Sequence, residues 1–421
     1  MLRGGMPACA LRSALRGGSP APRAFLLLCL LPAVTAHAAG STDRVRWYVV
    51  PNVAFDTDDG LGFGARGELA LTQPGYHPYR SAYVLHAFFT LRGFQHHRFR
   101  FDRTGLGPGG RLRVTLHLAW RQWLNDGYWG VGNGAAVERA YADAFDGDDP
   151  RRKRYRYTLY QPFAHVTLRA RIHGPWTLFA SLNPKYSVIR TYDGSLLQEQ
   201  RPFGMDGGLA MPLSAGVLYD SRRPEADPQR GLFAEISGRV SGALPHGAGV
   251  FGGVLASVRG YQALTSWLVL AGRLMGEWLW GEIPFYEMVH WGGAVPVAGF
   301  GGFETLRGVP FGRWRAPGKV ILNTEARFRV LSHTLLGRPL YWQIGLFLDA
   351  GMVFGAGDDA TAPAPELPIH PAGGAGLRAV FQETFVGRLD VGLGLDAVRE
   401  PDGGESYRPS LGIYVVFDQA F

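Results

Sequence analysis

From residue 45 to its last residue the chain repeats one pattern. Segments of about ten residues, in which apolar and polar side chains alternate, are separated by Gly, Pro and Asp turns. Arg111 to Gln122 is the plainest case: Leu112, Val114, Leu116 and Leu118 share one face, and Arg113, Thr115, His117 and Ala119 the other. A period of two puts these sets on opposite sides of a strand. No run of 18 apolar residues occurs, which excludes a helical membrane protein. No convincing helical periodicity follows residue 40. With only 19% charged residues and abundant Phe, Tyr and Trp, the pattern predicts an all-β fold, a transmembrane antiparallel β-barrel between lipid and a polar lumen. A soluble sandwich or propeller is the rival reading.

Residues 1–38 read as a signal peptide and 39–421 as the barrel. Arg3, Arg12, Arg16 and Arg23 give a basic start, Phe25 to Leu31 an apolar run too short to span a membrane, and Ala36-His37-Ala38 a small-x-small cleavage site. Leu30 follows Cys29, which argues against lipidation. Both cysteines, Cys9 and Cys29, would leave with this segment, so the mature chain would have neither disulfide nor thiol chemistry. Four of the eight excess positive charges would leave too, and the remaining +4 is no nucleic-acid footprint. Only about six residues separate the cleavage point from the first strand, leaving no room there for a folded periplasmic domain.

The alternation resolves into about 16 strands, an even number as in single-chain bacterial barrels, closed so that no edge lies in lipid. Long segments include Arg154 to Arg171, Trp176 to Arg190, Gly207 to Asp220, Lys319 to Leu331 and Leu340 to Met352. Near the end, Leu411, Ile413, Val415, Phe417 and Phe421 fall on the face expected to meet lipid, with Gly412, Tyr414 and Asp418 on the lumen face. Arg388, Asp390, Gly392, Gly394 and Asp396 likewise face in. Two stretches break the pattern. Trp123 to Arg152 places an acidic DGDD before a basic RRKR, as either a surface loop binding ions or lipopolysaccharide or a solvated loop with balanced charge. The stretch from Gly292 to Arg327 opens as a glycine- and aromatic-rich loop between strands 11 and 12, expected to fold inward into the lumen.

Four motifs carry a family likeness. GGFETLRG (Gly301 to Gly308), YDSRRPEADPQRGLFAEI (Tyr219 to Ile236), FLDAG (Phe347 to Gly351) and GGAGLR (Gly373 to Arg378) occur in an order that resembles the barrel of the outer-membrane protein assembly superfamily, the bacterial surface antigen domain of BamA and TamA. The resemblance spans roughly residues 45 to 421. It implies the outer membrane of a Gram-negative bacterium, with lipid and lipopolysaccharide around the barrel and an arginine at the tip of an inward-folded loop meeting a strand carboxylate. It also implies a part in protein assembly or translocation, with a passive channel or a surface scaffold as alternatives. Departures are Val309 where the family has an aromatic, Asp418 where a closing glycine is usual, and no polypeptide-binding periplasmic repeats. Recruitment of substrate would then fall to a separate periplasmic or outer-membrane partner protein.

Arg307 is the leading site residue. Its guanidinium offers a rigid fork of donors, matched by a carboxylate such as Asp349 or Glu325, both inward-facing by register. Gly301, Gly302 and Gly308 permit a tight tip, and Phe303 can pack it to the wall. The contact is either a lock that gates conduction or insertion, or a purely structural plug. Phe417 and Phe421 resemble the family's terminal assembly signal. Twelve scattered histidines without HExxH, metal spacing or GxSxG predict no catalytic site, no metal and no cofactor.

Overall fold

The computed structural model describes residues 34–37, 44–56, 59–76, 78–142, 149–224, 227–242, 249–335, 337–357, 368–381, 385–417 and 419–421. Of the expected export segment only Val34 to His37 is among them. That piece forms β1 (Val34–His37), paired with β2 (Arg44–Asp56). β3 (Gly60–Thr72), β4 (Ser81–Thr90), β5 (Gln95–Leu106) and β6 (Leu112–Gly127) follow, each antiparallel to its predecessor. After the two-residue β7 (Val137–Glu138), β8 (Arg156–His173) returns along β6.

Where single long strands are expected over Trp176 to Arg190 and Gly207 to Asp220, the structure has four shorter ones. β9 (Trp176–Leu182) and β10 (Lys185–Thr191) lie in turn along β8. β11 (Gly208–Ala210) pairs with β10, and β12 (Leu213–Asp220) with β9. The breaks fall at Pro184 and Pro212, which have no N–H to give a ladder. Their carbonyls still serve: Ala164 donates to Pro184 at 2.9 Å and Asn183 to Pro212 at 2.9 Å.

From there the pairing is regular. β13 (Arg230–Ser241), β14 (Phe251–Ala263), β15 (Leu268–Gly281), β16 (Gly318–Leu335), β17 (Arg338–Phe354), β18 (His370–Phe381), β19 (Phe385–Arg399) and β20 (Glu405–Phe417) each run antiparallel to the next, and β12 to β13. β20 lies beside β2. The helices α1 (Arg139–Ala142) and α2 (Leu196–Gln200) sit in loops, and no described helix is long and apolar enough to cross a membrane.

Burial alternates along the strands as the sequence pattern requires. Leu85, Ile236 and Leu348, on one face, are 63%, 65% and 69% exposed, whereas Arg273, Glu325, Asp349 and Asp390, on the other, are buried. A sheet with its leucines outside and its charges inside is inverted for water and correct for lipid. Exposed aromatics gather in two bands. Trp176 packs on Tyr219 and Trp267 on Phe328 near the short connections, and Trp278 packs on Phe354 near the long ones. Along β15, Trp267 and Trp278 are separated by roughly 36 Å of strand, which at the tilt of such barrels projects to about 25 Å, the height of an apolar belt. Short turns at one end and long loops at the other match the periplasmic and external sides of outer-membrane barrels.

Candidate functional site

The connection between β15 and β16, residues 282–317, carries the largest buried apolar cluster. Trp291, Phe300, Leu306, Val309 and Trp314 pack with Ile321 of β16 and Val353 of β17. At its centre the chain doubles back tightly: Gly302 donates to the Val309 carbonyl at 2.9 Å, and the Thr305 hydroxyl both accepts from Gly301 (2.9 Å) and donates to it (2.8 Å). Two glycines make this possible. Gly301 has φ +106°, and a Cβ there would lie 2.0 Å from the Pro310 oxygen. Gly308 has φ +104°, and a Cβ there would lie 2.6 Å from the Leu393 carbonyl carbon. The backbone at Arg307 and Gly308 thus lies directly on β19, where Gly392 and Gly394 present no side chains. Tyr414 fixes it from β20, its hydroxyl accepting the Gly308 N–H at 3.0 Å.

Arg307 is 1% exposed and sits among three carboxylates. Its Nε and Nη2 donate to the two oxygens of Asp349 at 2.8 and 2.9 Å, and its backbone N–H reaches the same carboxylate at 3.1 Å. Nη1 donates to Glu325 and lies 3.4 Å from Asp390. The guanidinium carbon is 3.6 Å from the Phe347 ring centroid. The structure therefore places Arg307 beside both acids named from the sequence, in unequal ways: a fork on Asp349 and a single arm on Glu325.

The alternation held more than the motif revealed. Glu325 also accepts from Arg327 at 2.7 Å and Arg378 at 2.7 Å, and Asp390 from Arg388 at 2.8 Å. Among the described residues Asp349 has only Asn323 besides Arg307, at 2.7 Å. Three carboxylates thus face four guanidiniums. Space for them comes from glycines on the neighbouring strands: a Cβ on Gly345 would meet Arg378 Nη1 at 2.1 Å, and one on Gly376 would meet Asp390 Oδ1 at 1.9 Å. Gly376 belongs to GGAGLR, whose role no single-strand reading exposes. The inward positions of Asp390, Arg388 and Tyr414 follow from the alternation, but their place in this cluster does not, nor does that of Arg327 and Arg378; the signal common to all five is an inward register position.

Of the tip residues, Gly301 and Gly302 are buried. Phe303 is 37% exposed, its ring 6.4 Å from Tyr414 and its carbonyl accepting from Arg388 at 3.2 Å. The side chain of Phe417 and residue Asp418 lie outside the described residues. Phe421 is not on the lipid face. It is 6% exposed, 6.4 Å from the Tyr261 ring, with the guanidiniums of Arg273 and Arg327 at 5.1 and 5.6 Å. After β20 ends at Phe417 the period of two no longer governs, and the last three residues turn into the lumen. Gln419 there donates to Asp227 at 2.8 Å. Asp227, from the turn of the Tyr219-to-Ile236 motif, also accepts from Tyr341 at 2.7 Å and Gln343 at 3.0 Å.

At the long-loop end, Arg139 from the β6–β8 loop donates to Glu400 in the β19–β20 turn at 2.9 Å. Hydrogen bonds from Arg139 and then Ser406 bring the Glu400 carboxyl down to about 2. β7 lies parallel to β19 at the same place, so this loop crosses the mouth of the sheet. Among the described residues no group of three or more His, Cys, Asp or Glu could hold a metal ion.

Residues 139–418 match the family model described as the Omp85 superfamily domain. No curated protein matches the sequence. Among solved structures, BamA from Haemophilus ducreyi lacking POTRA domains 1–3 is similar at 15% identity with a TM-score of 0.55, over 93% of this chain and 75% of that one. CdiB from Escherichia coli is similar at 12% identity with a TM-score of 0.54, over 88% of this chain and 62% of that one. At these identities the likeness is one of fold.

Proposed function

Because the chain belongs to the Omp85 superfamily, we propose that it is an outer-membrane barrel that assists the insertion or translocation of polypeptides, with Arg307 locking a loop inside its lumen. The mature chain starts at Ala39. Its barrel has sixteen staves, β9 with β10 and β11 with β12 counting as one each and β1 and β7 standing outside the count. It closes between β2 and β20. The observation that carries the reading is the burial of Arg307 among Asp349, Glu325 and Asp390, carboxylates of three different strands. One loop residue so tied makes the position of the loop depend on the relative position of those strands, as a gate requires. Lipid and lipopolysaccharide surround the barrel, and a separate periplasmic or outer-membrane protein delivers substrate.

The test is reconstitution into lipid vesicles. A urea-unfolded outer-membrane barrel should fold faster into vesicles containing this protein than into empty ones, or an unfolded soluble polypeptide should become protected from external protease. Equal rates and no protection, with the protein verified as folded, would remove the activity and leave the fold.

A further inference from the structure

The two halves of the lumen wall differ in chemistry. On β16 to β19, acids and bases are nearly matched and the loop covers them. On β3 to β6 they are not. By register Arg66, His86 and Arg98 stand side by side on three neighbouring strands, and Arg100 follows two residues on along β5, on the same face. His96 and Arg121 stand opposite one another one step nearer the long loops. Neighbours across such a row are about 4.8 Å apart and successive rows about 7 Å, so these groups form one continuous patch.

The carboxylates nearby are occupied. Glu68 accepts from Tyr48 at 2.6 Å and pairs with Arg66 at 3.4 Å. Asp102 accepts from Tyr79 at 2.6 Å and from both Nε and Nη2 of Arg113. Asp126 is held by Tyr157 at 2.5 Å and by the Gly127 N–H at 2.8 Å. Among the described residues neither Arg100 nor Arg121 touches a carboxylate, and Arg121 lies over the Phe163 ring at 5.4 Å while only 9% exposed.

The patch is short of acceptors. Arg98 Nη2 donates to His86 Nδ1 at 2.8 Å, so the neutral His86 ring carries its proton on Nε2. That nitrogen is buried and, like Arg100 Nε, has no partner among the described residues. Guanidiniums are donors only, and a buried donor without an acceptor is costly. Water reaches the patch, because Arg98 is exposed although it faces inward. A wall that is cationic, rich in unmet donors and open to water concentrates anions.

We propose that this wall is a binding site for small multivalent oxyanions of the phosphate type, reached from the aqueous lumen. The several acceptor oxygens of such an ion match donors from three strands at once, which a monovalent halide does not. A lipid phosphate would offer the same oxygens, but the patch faces away from lipid, so the soluble ion is the occupant.

The experiment is equilibrium titration of the folded protein, in zwitterionic micelles at fixed ionic strength, with sodium tripolyphosphate. Saturable binding is expected. Arg100→Gln with Arg121→Gln should weaken it roughly tenfold or more, as loss of two charge-assisted contacts implies, while Arg171→Gln, outside the patch, should leave it unchanged. If the double variant fails to fold, Arg100→Gln alone is read, expected about threefold weaker on the same grounds. Phosphatidic acid added to the micelles should not compete. Absence of saturable binding, equal affinity in the variants, or competition by phosphatidic acid would each overturn the proposal. None of these readings depends on polypeptide insertion.

Discussion

Arg307 and its acids are unequal partners, and that decides what mutation does. Glu325 keeps Arg327 and Arg378 if Arg307 is lost, and Asp390 keeps Arg388. Asp349 keeps, among the described residues, the Asn323 amide and the backbone N–H of residue 307, neither of them charged. Arg307→Ala should therefore strand Asp349 beneath a dry loop, at about 3 to 5 kcal/mol, the usual cost of breaking one side of a buried pair. The readout is urea unfolding in micelles, together with faster proteolysis within Pro296 to Arg315. Exchange of the partners (Arg307→Asp with Asp349→Arg) should recover part of the loss, whereas exchange with Glu325 should not, because Glu325 then becomes a third arginine beside Arg327 and Arg378. Zero coupling of Arg307 to both acids in a double-mutant cycle would refute the lock. Gly308→Ala probes the other half of the contact. Its φ of +104° and the 2.6 Å approach to β19 leave no space for a Cβ, so a loss of about 1 to 3 kcal/mol is expected without any change of charge.

At the scale of strands and tails, the period of two located the cluster's strands and both their faces because β16 from Gly318 to Arg329, β17 from Gln343 to Phe354 and β19 from Phe385 to Arg399 pair without a register shift. Asp349, Glu325 and Asp390 could be placed from it. Two things could not. Proline breaks at Pro184 and Pro212 leave the alternation intact while interrupting the ladder, so Trp176 to Arg190 reads as one strand. Phe421 continues the apolar face on paper, but the strand ends four residues earlier and the tail turns inward. The membership of Arg327, Arg378 and Arg388 in the cluster was hidden for a third reason: it depends on which strand lies beside which, and on glycines that only make room. The tail offers a sharp test of face. A lipid-facing Phe421 would tolerate neither charge, whereas a ring between Arg273 and Arg327 should accept Phe421→Glu and reject Phe421→Lys. Folded yield on unboiled gels should stay near wild type for Glu and fall several-fold for Lys, since like charges then crowd one pocket. Equal loss in both would return Phe421 to the lipid face.

Across the whole molecule the lumen is divided. In the barrel proposed here, residues 282–317 fill one side, neutralised by facing charges, and the cationic wall of β3 to β6 stays open on the other. The loop is not part of the hydrogen-bonded sheet, which passes directly from β15 to β16 over eleven paired positions from Leu268 with Phe328 to Trp278 with Gly318. Replacing residues 299–311 by a short flexible linker removes Arg307 together with the apolar lid over it. The wall left behind has Glu325, Asp349 and Asp390 against Arg327, Arg378 and Arg388, a balanced set now open to water. Asp349, stranded in a dry pocket by Arg307→Ala, is solvated in the excised form, so the larger change should be the milder one for the charges. The excised barrel is therefore expected to keep its heat-modifiable gel shift, while its conductance in planar bilayers rises several-fold over wild type, as unplugging a barrel of the proposed sixteen strands implies. Arg307→Ala should behave oppositely, losing stability with little gain in conductance because Phe300, Leu306 and Trp314 still fill the space. If excision abolished folding, the loop would have to nucleate the sheet it packs against; if it folded without added conductance, the loop would lie outside the path through the lumen.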